Sequence, residues 1–111
     1  MKNSFKTDRI REDYFEPGVR KEADGIRFSV AAGSANSVSL LLYEKEKGSL
    51  AAEIPFPVQQ ETVKTVKILG LDWTQCRYNY RINDRIMTDP YARGIWTDDD
   101  GNMQGEMDFT Q

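Results

Sequence analysis

The stretch GIRFSVAAGSANSVSLLLY, residues 25–43, contains two strand patterns joined by a turn of small residues. Its first part alternates Ile26, Phe28 and Val30 with polar residues, so these three apolar side chains share one face of a strand. Its last part, residues 38–43, is apolar on both faces, which predicts a strand in the centre of a sheet. Two extended runs of this kind predict a β protein.

Two weaker runs follow toward the C-terminus. The first ends in Pro55 and Pro57, which predict a sheet edge because proline cannot donate a hydrogen bond to a neighbouring strand. The second, residues 63–69, alternates again and contains Lys64 and Lys67. We interpret these lysines as charges that guard an exposed strand edge against pairing.

A hairpin pattern follows these runs. Tyr78 and Tyr80 share one strand face, so we expect both rings in the core, while Arg77 and Arg81 on the other face stand in water. The dipeptide 83–84 (Asn-Asp) tolerates positive φ and predicts a two-residue turn.

Turn residues separate these runs every 8 to 12 residues, which is typical of an all-β sandwich or barrel. No segment keeps an apolar period of 3.6 over the length of a helix. We therefore divide the chain into an irregular leader (residues 1–18), a β-sandwich of two antiparallel sheets (19–92) and an acidic tail or linker (93–111). The apolar alternation is lost in the last of these segments.

The composition limits what the chain can do. Its 111 residues suffice for one domain and exclude a (β/α)₈ barrel, which needs about 250 residues. There is no histidine, so histidine-based catalytic triads and histidine metal sites are excluded. Cys76 is the single cysteine and cannot form an internal disulfide. The sequence predicts no cofactor and no metal.

The charge and hydropathy patterns argue against nucleic acid and membrane partners. The net charge is −3, and residues 97–111 carry five acids and no base. The remaining body is close to neutral and lacks the concentrated basic face of a nucleic acid binder. No run approaches the 18 apolar residues of a membrane span, and no signal segment is recognisable, so we expect a cytoplasmic chain.

Four segments in order resemble a known family: residues 25–32 (GIRFSVAA), 37–43 (SVSLLLY), 78–83 (YNYRIN) and 89–92 (DPYA). Their order and spacing are similar to those of the N-terminal immunoglobulin-like module of pullulanases and related debranching enzymes. That module is carbohydrate-binding module family 48, which precedes an α-amylase-type barrel of glycoside hydrolase family 13. The resemblance covers roughly residues 19–96.

The resemblance implies both a fold and a function. The fold would be an immunoglobulin-like β-sandwich of the early-set type. The chain would be a non-catalytic accessory module of a pullulanase-like enzyme that cleaves α-1,6 bonds in glycogen, starch or pullulan; it would pack on the catalytic barrel, contact glucan and hydrolyse nothing by itself. In the family the Asp-Pro-Tyr-Ala segment lies where the sandwich meets the catalytic part. The resemblance therefore implies interdomain contacts by Asp89, Pro90, Tyr91, Ala92 and Trp96.

Aromatic side chains are the candidates for sugar contact, because sugar rings stack their C–H faces on flat rings. The candidates are Trp73, Trp96 and Tyr91. Glycogen-binding members of the family carry tryptophan in the loop after the central strand and again three residues before the Asp-Pro pair. Here the loop at 43–48 has no tryptophan, and the second position is Ile86. Without a barrel, Tyr91 and Trp96 would form an apolar patch that favours self-association.

A second function class remains open, a free-standing β-sandwich interaction domain. It would hold a protein or nucleic acid partner through a strand edge or the arginine face of the hairpin. The two classes differ in whether the gene continues into a catalytic barrel. A calcium-binding loop at 98–109 is disfavoured, because its sixth and twelfth positions are Met103 and Phe109 where glycine and glutamate are needed.

Overall fold

The computed structural model describes residues 6–8, 16–33, 35, 37–57 and 62–110, and β-strands dominate these ranges. The strands are β1 (Lys6–Asp8), β2 (Gly18–Glu22), β3 (Gly25–Ala31), β4 (Val38–Glu44), β5 (Leu50–Pro55), β6 (Val63–Leu69), β7 (Cys76–Ile82), β8 (Arg85–Met87), β9 (Gly94–Thr97) and β10 (Met103–Glu106). A short 3-10 turn at Trp73–Gln75 precedes β7. In the described part of the chain no helix is long and apolar enough to cross a membrane.

The strands form two antiparallel sheets. The first has four strands in the order β1-β6-β3-β2. The second has the order β5-β4-β7-β10-β9, and β8 pairs with β7 beside this path. This arrangement confirms the predicted all-β sandwich of two antiparallel sheets.

The core lies between the sheets and contains the side chains predicted to face inward. Phe28 of β3 is fully buried and meets the ring of Tyr78 of β7 edge to face, with the ring centroids 5.5 Å apart. Tyr80 is also buried, and its ring centroid lies 5.6 Å from that of Tyr78. The period of two identified these faces because a strand presents alternate residues to the same side.

The central strand, the edge strand and the hairpin are also confirmed. β4 lies between β5 and β7, and residues 38–42 of β4 are buried. β5 lies at the end of its sheet and terminates at Pro55. The turn between β7 and β8 has φ values of 47° at Asn83 and 70° at Asp84, the left-handed conformation that a two-residue hairpin turn requires.

The predicted edge at residues 63–69 is wrong, because β6 lies between β1 and β3. Lys67 does not guard an edge. Its ammonium group instead pairs with the carboxylates of Glu22, at 3.2 Å, and Asp24. Strand position depends on which segments pair with it, and a lysine on the outer face of an interior strand leaves the same sequence pattern as a lysine on an edge strand.

The two ends of the chain differ from the predicted boundaries. In the predicted leader, Lys6–Asp8 forms β1, and most of the other residues lie outside the described ranges. The predicted tail at 93–111 contains β9 and β10, so the second sheet continues past residue 92. Met107 after β10 is buried in the core. These strands have only three or four residues, which is too short for apolar alternation to stand out in the sequence.

Candidate functional site

A cleft of about 470 Å³ opens on the outer face of the six-stranded sheet. Tyr43 of β4 and Asn79 of β7 lie on this face because their parity is opposite to that of the core residues. β8 and the loops around Gly48 and Gly101 contribute the walls. The residues that line the cleft include Tyr43, Asn79, Ile86, Thr88, Asp98, Asn102, Met103 and Gln104. They bring together one aromatic ring, three amides, one carboxylate and the apolar side chain of Ile86. Met103 contributes its backbone, because it has the parity of Gly105, which pairs with Tyr78 on the core side.

Asn79 provides the polar floor of the cleft. It is 2% exposed, and its Nδ2 donates to the backbone oxygen of Met103 at 2.8 Å and to Tyr43 Oη at 3.4 Å. Its Oδ1 has no hydrogen-bond partner in the described ranges. Buried polar atoms in native proteins are nearly always paired with protein, water or ligand. Asn79 Oδ1 is therefore a buried acceptor without a partner in the described ranges, and it lies beneath the surface of the cleft.

Arg77 holds one wall of the cleft in place, and the prediction that it stands in water is wrong. Its side chain is buried; Nε donates to Gln104 Oε1 at 2.9 Å and Nη2 to the backbone oxygen of Lys45 at 2.8 Å. The guanidinium group also lies 3.9 Å from the ring centroid of Trp96. Gln104 Nε2 donates to the backbone oxygen of Gly48. The unpredicted strands β9 and β10 cover the arginine, which explains the error.

In the acidic loop between β9 and β10, the side chain of Asp98 stabilises the turn through hydrogen bonds to backbone groups of the same loop. Asp98 Oδ1 accepts hydrogen bonds from the backbone N–H groups of Asp100 and Asn102, each at 2.9 Å. These bonds stabilise the carboxylate, and the Asn102 N–H is the main cause that lowers the pKa of Asp98. Among the described residues, no three acidic or cysteine side chains are grouped to hold a metal ion.

The Asp-Pro-Tyr-Ala segment lies at the opposite face of β7 from the cleft. Asp89 is 3% exposed and accepts hydrogen bonds from Tyr78 Oη at 2.6 Å and from the backbone N–H of Tyr91 at 2.9 Å. Pro90 and Tyr91 project outward, with Tyr91 61% exposed, while Ala92 packs against the core. Among the residues that the resemblance assigns to interdomain contact, Pro90 and Tyr91 are exposed.

Of the three aromatic candidates for sugar contact, Trp73 and Tyr91 are not among the residues that line the cleft, and Trp96 borders it beside Gly48 and Gln104. Trp73 is half-buried in the 3-10 turn and meets Phe109 edge to face, with centroids 5.3 Å apart. Trp96 is half-buried under Arg77. Tyr91 is exposed at its turn. The structure does not gather these rings into a single surface, and it adds Tyr43, Asn79 and Gln104, which sequence reasoning missed.

A sequence signal for the cleft was nevertheless present. Ile86 and the loop at 43–48 occupy the two positions where glycogen-binding members of the resembled family carry tryptophan. The structure places Ile86, Tyr43 and Gly48 around the same cleft. These positions lie far apart along the chain, and only the β4-β7-β8 pairing brings them together.

Comparison with solved structures shows which proteins share this fold. A pullulanase from Paenibacillus barengoltzii matches 87% of the chain at 24% identity and a TM-score of 0.66. The GBS pullulanase SAP, solved in complex with maltotetraose, matches 84% of the chain at 22% identity and a TM-score of 0.69. A pullulanase from Bacillus acidopullulyticus matches 86% of the chain at 27% identity and a TM-score of 0.67. The chain has the fold of a pullulanase module.

The match concerns a small part of each pullulanase. The chain spans 15%, 14% and 12% of the three proteins, in the order given. No protein-family model and no curated protein matches the chain. The fold is therefore established by structural likeness, and the activity of the whole pullulanases does not transfer to this module by itself.

Proposed function

We propose that the chain is a non-catalytic accessory module of a pullulanase-like glycosidase that acts on α-glucans. In this proposal it belongs with carbohydrate-binding module family 48 and is joined to a barrel of glycoside hydrolase family 13. Support comes from the pullulanase neighbours, which contain this fold as a small part of a much longer chain. The cytoplasmic location remains a prediction from the sequence.

The cleft at Tyr43 and Asn79 is the observation that carries the glucan-binding part of the proposal. A glucose unit presents flat C–H faces and a rim of hydroxyl groups, so its recognition needs an aromatic or apolar surface beside amide donors and acceptors. Tyr43 and Ile86 supply the first, and the amide of Asn102 and the hydroxyl of Thr88 in the same lining supply the second. We expect weak binding, with a Kd on the order of 1 mM, because one tyrosine provides the only aromatic ring among these side chains.

The docking part of the proposal rests on the turn at 89–92. Asp89 is fixed from inside by Tyr78 Oη, so the turn is rigid, and it presents Tyr91 outward. An exposed aromatic ring on a rigid support is a good anchor for a neighbouring domain. We propose that Tyr91 and Pro90 contact the catalytic barrel; Trp96 lies on the other face of the sheet beside Arg77 and is not part of this contact.

Affinity electrophoresis in gels containing pullulan or glycogen tests the glucan-binding proposal. Retardation of the chain should grow with polysaccharide concentration, and Tyr43→Ala should reduce the apparent affinity about tenfold, as expected for loss of a stacking ring worth about 1.4 kcal/mol. Tyr91→Ala is the matched control, since it removes an exposed tyrosine outside the cleft lining. We expect that variant to migrate like the parent chain.

The same gels test the aromatic candidates from the sequence. If Trp73→Ala or Tyr91→Ala abolishes retardation while Tyr43→Ala keeps it, the glucan site lies at those aromatics and the cleft assignment is wrong. If the parent chain is not retarded at any polysaccharide concentration, the chain has no glucan-binding role.

A further inference from the structure

β9 forms a free edge of the six-stranded sheet. It is the last strand in the sheet order and pairs with β10 alone among the described strands. The N–H of Asp98 donates to the backbone oxygen of Asn102 on the β10 side. Since backbone groups alternate in direction along an antiparallel strand, Ile95 and Thr97 direct their N–H and C=O groups away from β10. The partner of Thr97 on β10 is Met103, and its backbone groups likewise point away from β9. The carbonyl of Met103 points toward β7 and accepts a hydrogen bond from the side chain of Asn79.

The free edge lacks the protective features found at the opposite edge of the sheet. β5 at that end carries Pro55, and its Glu53 bonds Arg81 across the sheet. β9 contains neither proline nor a charged residue, and Ile95 is 46% exposed. An uncharged edge strand with an exposed apolar side chain is a template for pairing with another strand.

We propose that a second copy of this chain pairs with β9 antiparallel, across a two-fold axis perpendicular to the sheet. Such an axis leaves the core-facing surfaces of the two sheets on the same side of the joined sheet. An odd-numbered residue must therefore lie opposite an odd-numbered residue, and an even-numbered residue opposite an even-numbered one. Three registers bring the free backbone groups together. In the first, Ile95 lies opposite Ile95 of the second copy; in the second, Ile95 lies opposite Thr97; in the third, Thr97 lies opposite Thr97.

The second register is favoured by two features of the strand. It forms four backbone hydrogen bonds, two at each Ile95–Thr97 pair. It also places Trp96 opposite Trp96 of the second copy at a position without backbone hydrogen bonds, where cross-strand side chains approach most closely. The other two registers do not pair the two tryptophans.

The interface is small, so the dimer should be weak. Two four-residue strands and their side chains cover less than a standard interface, and we expect a Kd of about 10 µM to 1 mM. The inference does not depend on the proposed function. Because β9 follows directly after the turn at 89–92, a catalytic domain docked at Tyr91 would compete with the second copy.

Sedimentation equilibrium measures this association. The weight-average mass should rise from 12.8 kDa in dilute solution toward twice that value at high concentration. A mass that stays at the monomer value over the whole range overturns the proposal. So does a mass that rises past the dimer without a plateau, because a two-fold pairing uses up both edges.

Lysine substitutions identify the edge that pairs. Ile95→Lys should weaken the dimer about tenfold or more, because each lysine would lie in the paired strand opposite Thr97 of the second copy, and the two like charges would be diagonal neighbours across the two-fold axis. Leu50→Lys is the matched control, since Leu50 is similarly exposed, at 49%, on the opposite edge strand β5. If Leu50→Lys disrupts the dimer and Ile95→Lys does not, the β9 assignment is wrong.

Discussion

Phe28→Ala should lower the free energy of unfolding by about 3–5 kcal/mol, which is close to half the stability of a typical domain. Phe28 is fully buried in the middle of β3, lies opposite Val66 of β6 and meets Tyr78 across the core. Removing the ring leaves a cavity between the two sheets that neither sheet can close without losing its strand pairing. Urea unfolding followed by far-ultraviolet circular dichroism measures the change.

Leu50→Ala provides the control for this experiment. Leu50 lies on the edge strand β5 and is 49% exposed, so its truncation should cost less than about 1 kcal/mol. If Phe28→Ala also costs less than 1 kcal/mol, the assignment of Phe28 to the centre of the core is wrong.

The chain should unfold steeply in alkali because of two buried tyrosines. Burial raises the pKa of Tyr80 well above the ordinary value of 10. The pKa of Tyr78 is also raised well above 10, first by burial and then by the neighbouring Tyr80 and the hydrogen bond to Asp89. Both hydroxyls keep their protons in the folded state, whereas the unfolded chain releases them above about pH 10. The stability they contribute is therefore present below pH 10 and is lost as the pH rises, at up to about 2.7 kcal/mol per pH unit for the pair.

Urea unfolding at several pH values measures this loss, and Tyr80→Phe isolates one tyrosine. The variant should lower the slope above pH 10 by about 1.4 kcal/mol per pH unit. At pH 7 it should be as stable as the parent chain or more stable, because Tyr80 Oη has no hydrogen-bond partner in the described ranges. Tyr78→Phe should instead cost about 1–3 kcal/mol at pH 7, because it removes the donor to buried Asp89. An unchanged slope in Tyr80→Phe would contradict the burial of its hydroxyl.

Sequence reasoning reached the fold through residues whose role depends on local geometry. The burial of Phe28 and Tyr80 follows from the alternation of apolar and polar residues. The edge position of β5 follows from Pro55, which has no N–H to donate, and the turn at 83–84 follows from two residue types that tolerate positive φ. Each of these is a property of a few adjacent residues, which the chain displays before it folds. The pairing order of the strands is a property of the whole molecule, so Lys67 was assigned to an edge that β1 occupies instead.

The candidate site could be predicted only in part. Tyr43 and Ile86 lie at positions that the family resemblance had singled out. Asn79 gave no signal, because a buried polar residue on the outer face of a strand looks like any solvent-facing residue. Arg77 was misplaced for the same reason: its burial requires β10 and the loop around Gly48 to lie over it. The site thus depends on segments distant in sequence that pack over these residues, and the alternation of apolar and polar residues along one strand does not show such packing.

The central claim is that the cleft on the outer sheet face binds α-glucan, and an NMR titration with maltoheptaose tests it most directly. Amide shifts report binding at each residue and remain measurable for a Kd near 1 mM. We predict saturable shifts concentrated at Tyr43, Ile86 and Met103 and in the side-chain amide of Asn79. Saturable shifts confined to Trp73 or Tyr91, or no shifts at concentrations about tenfold above that Kd, would contradict the account.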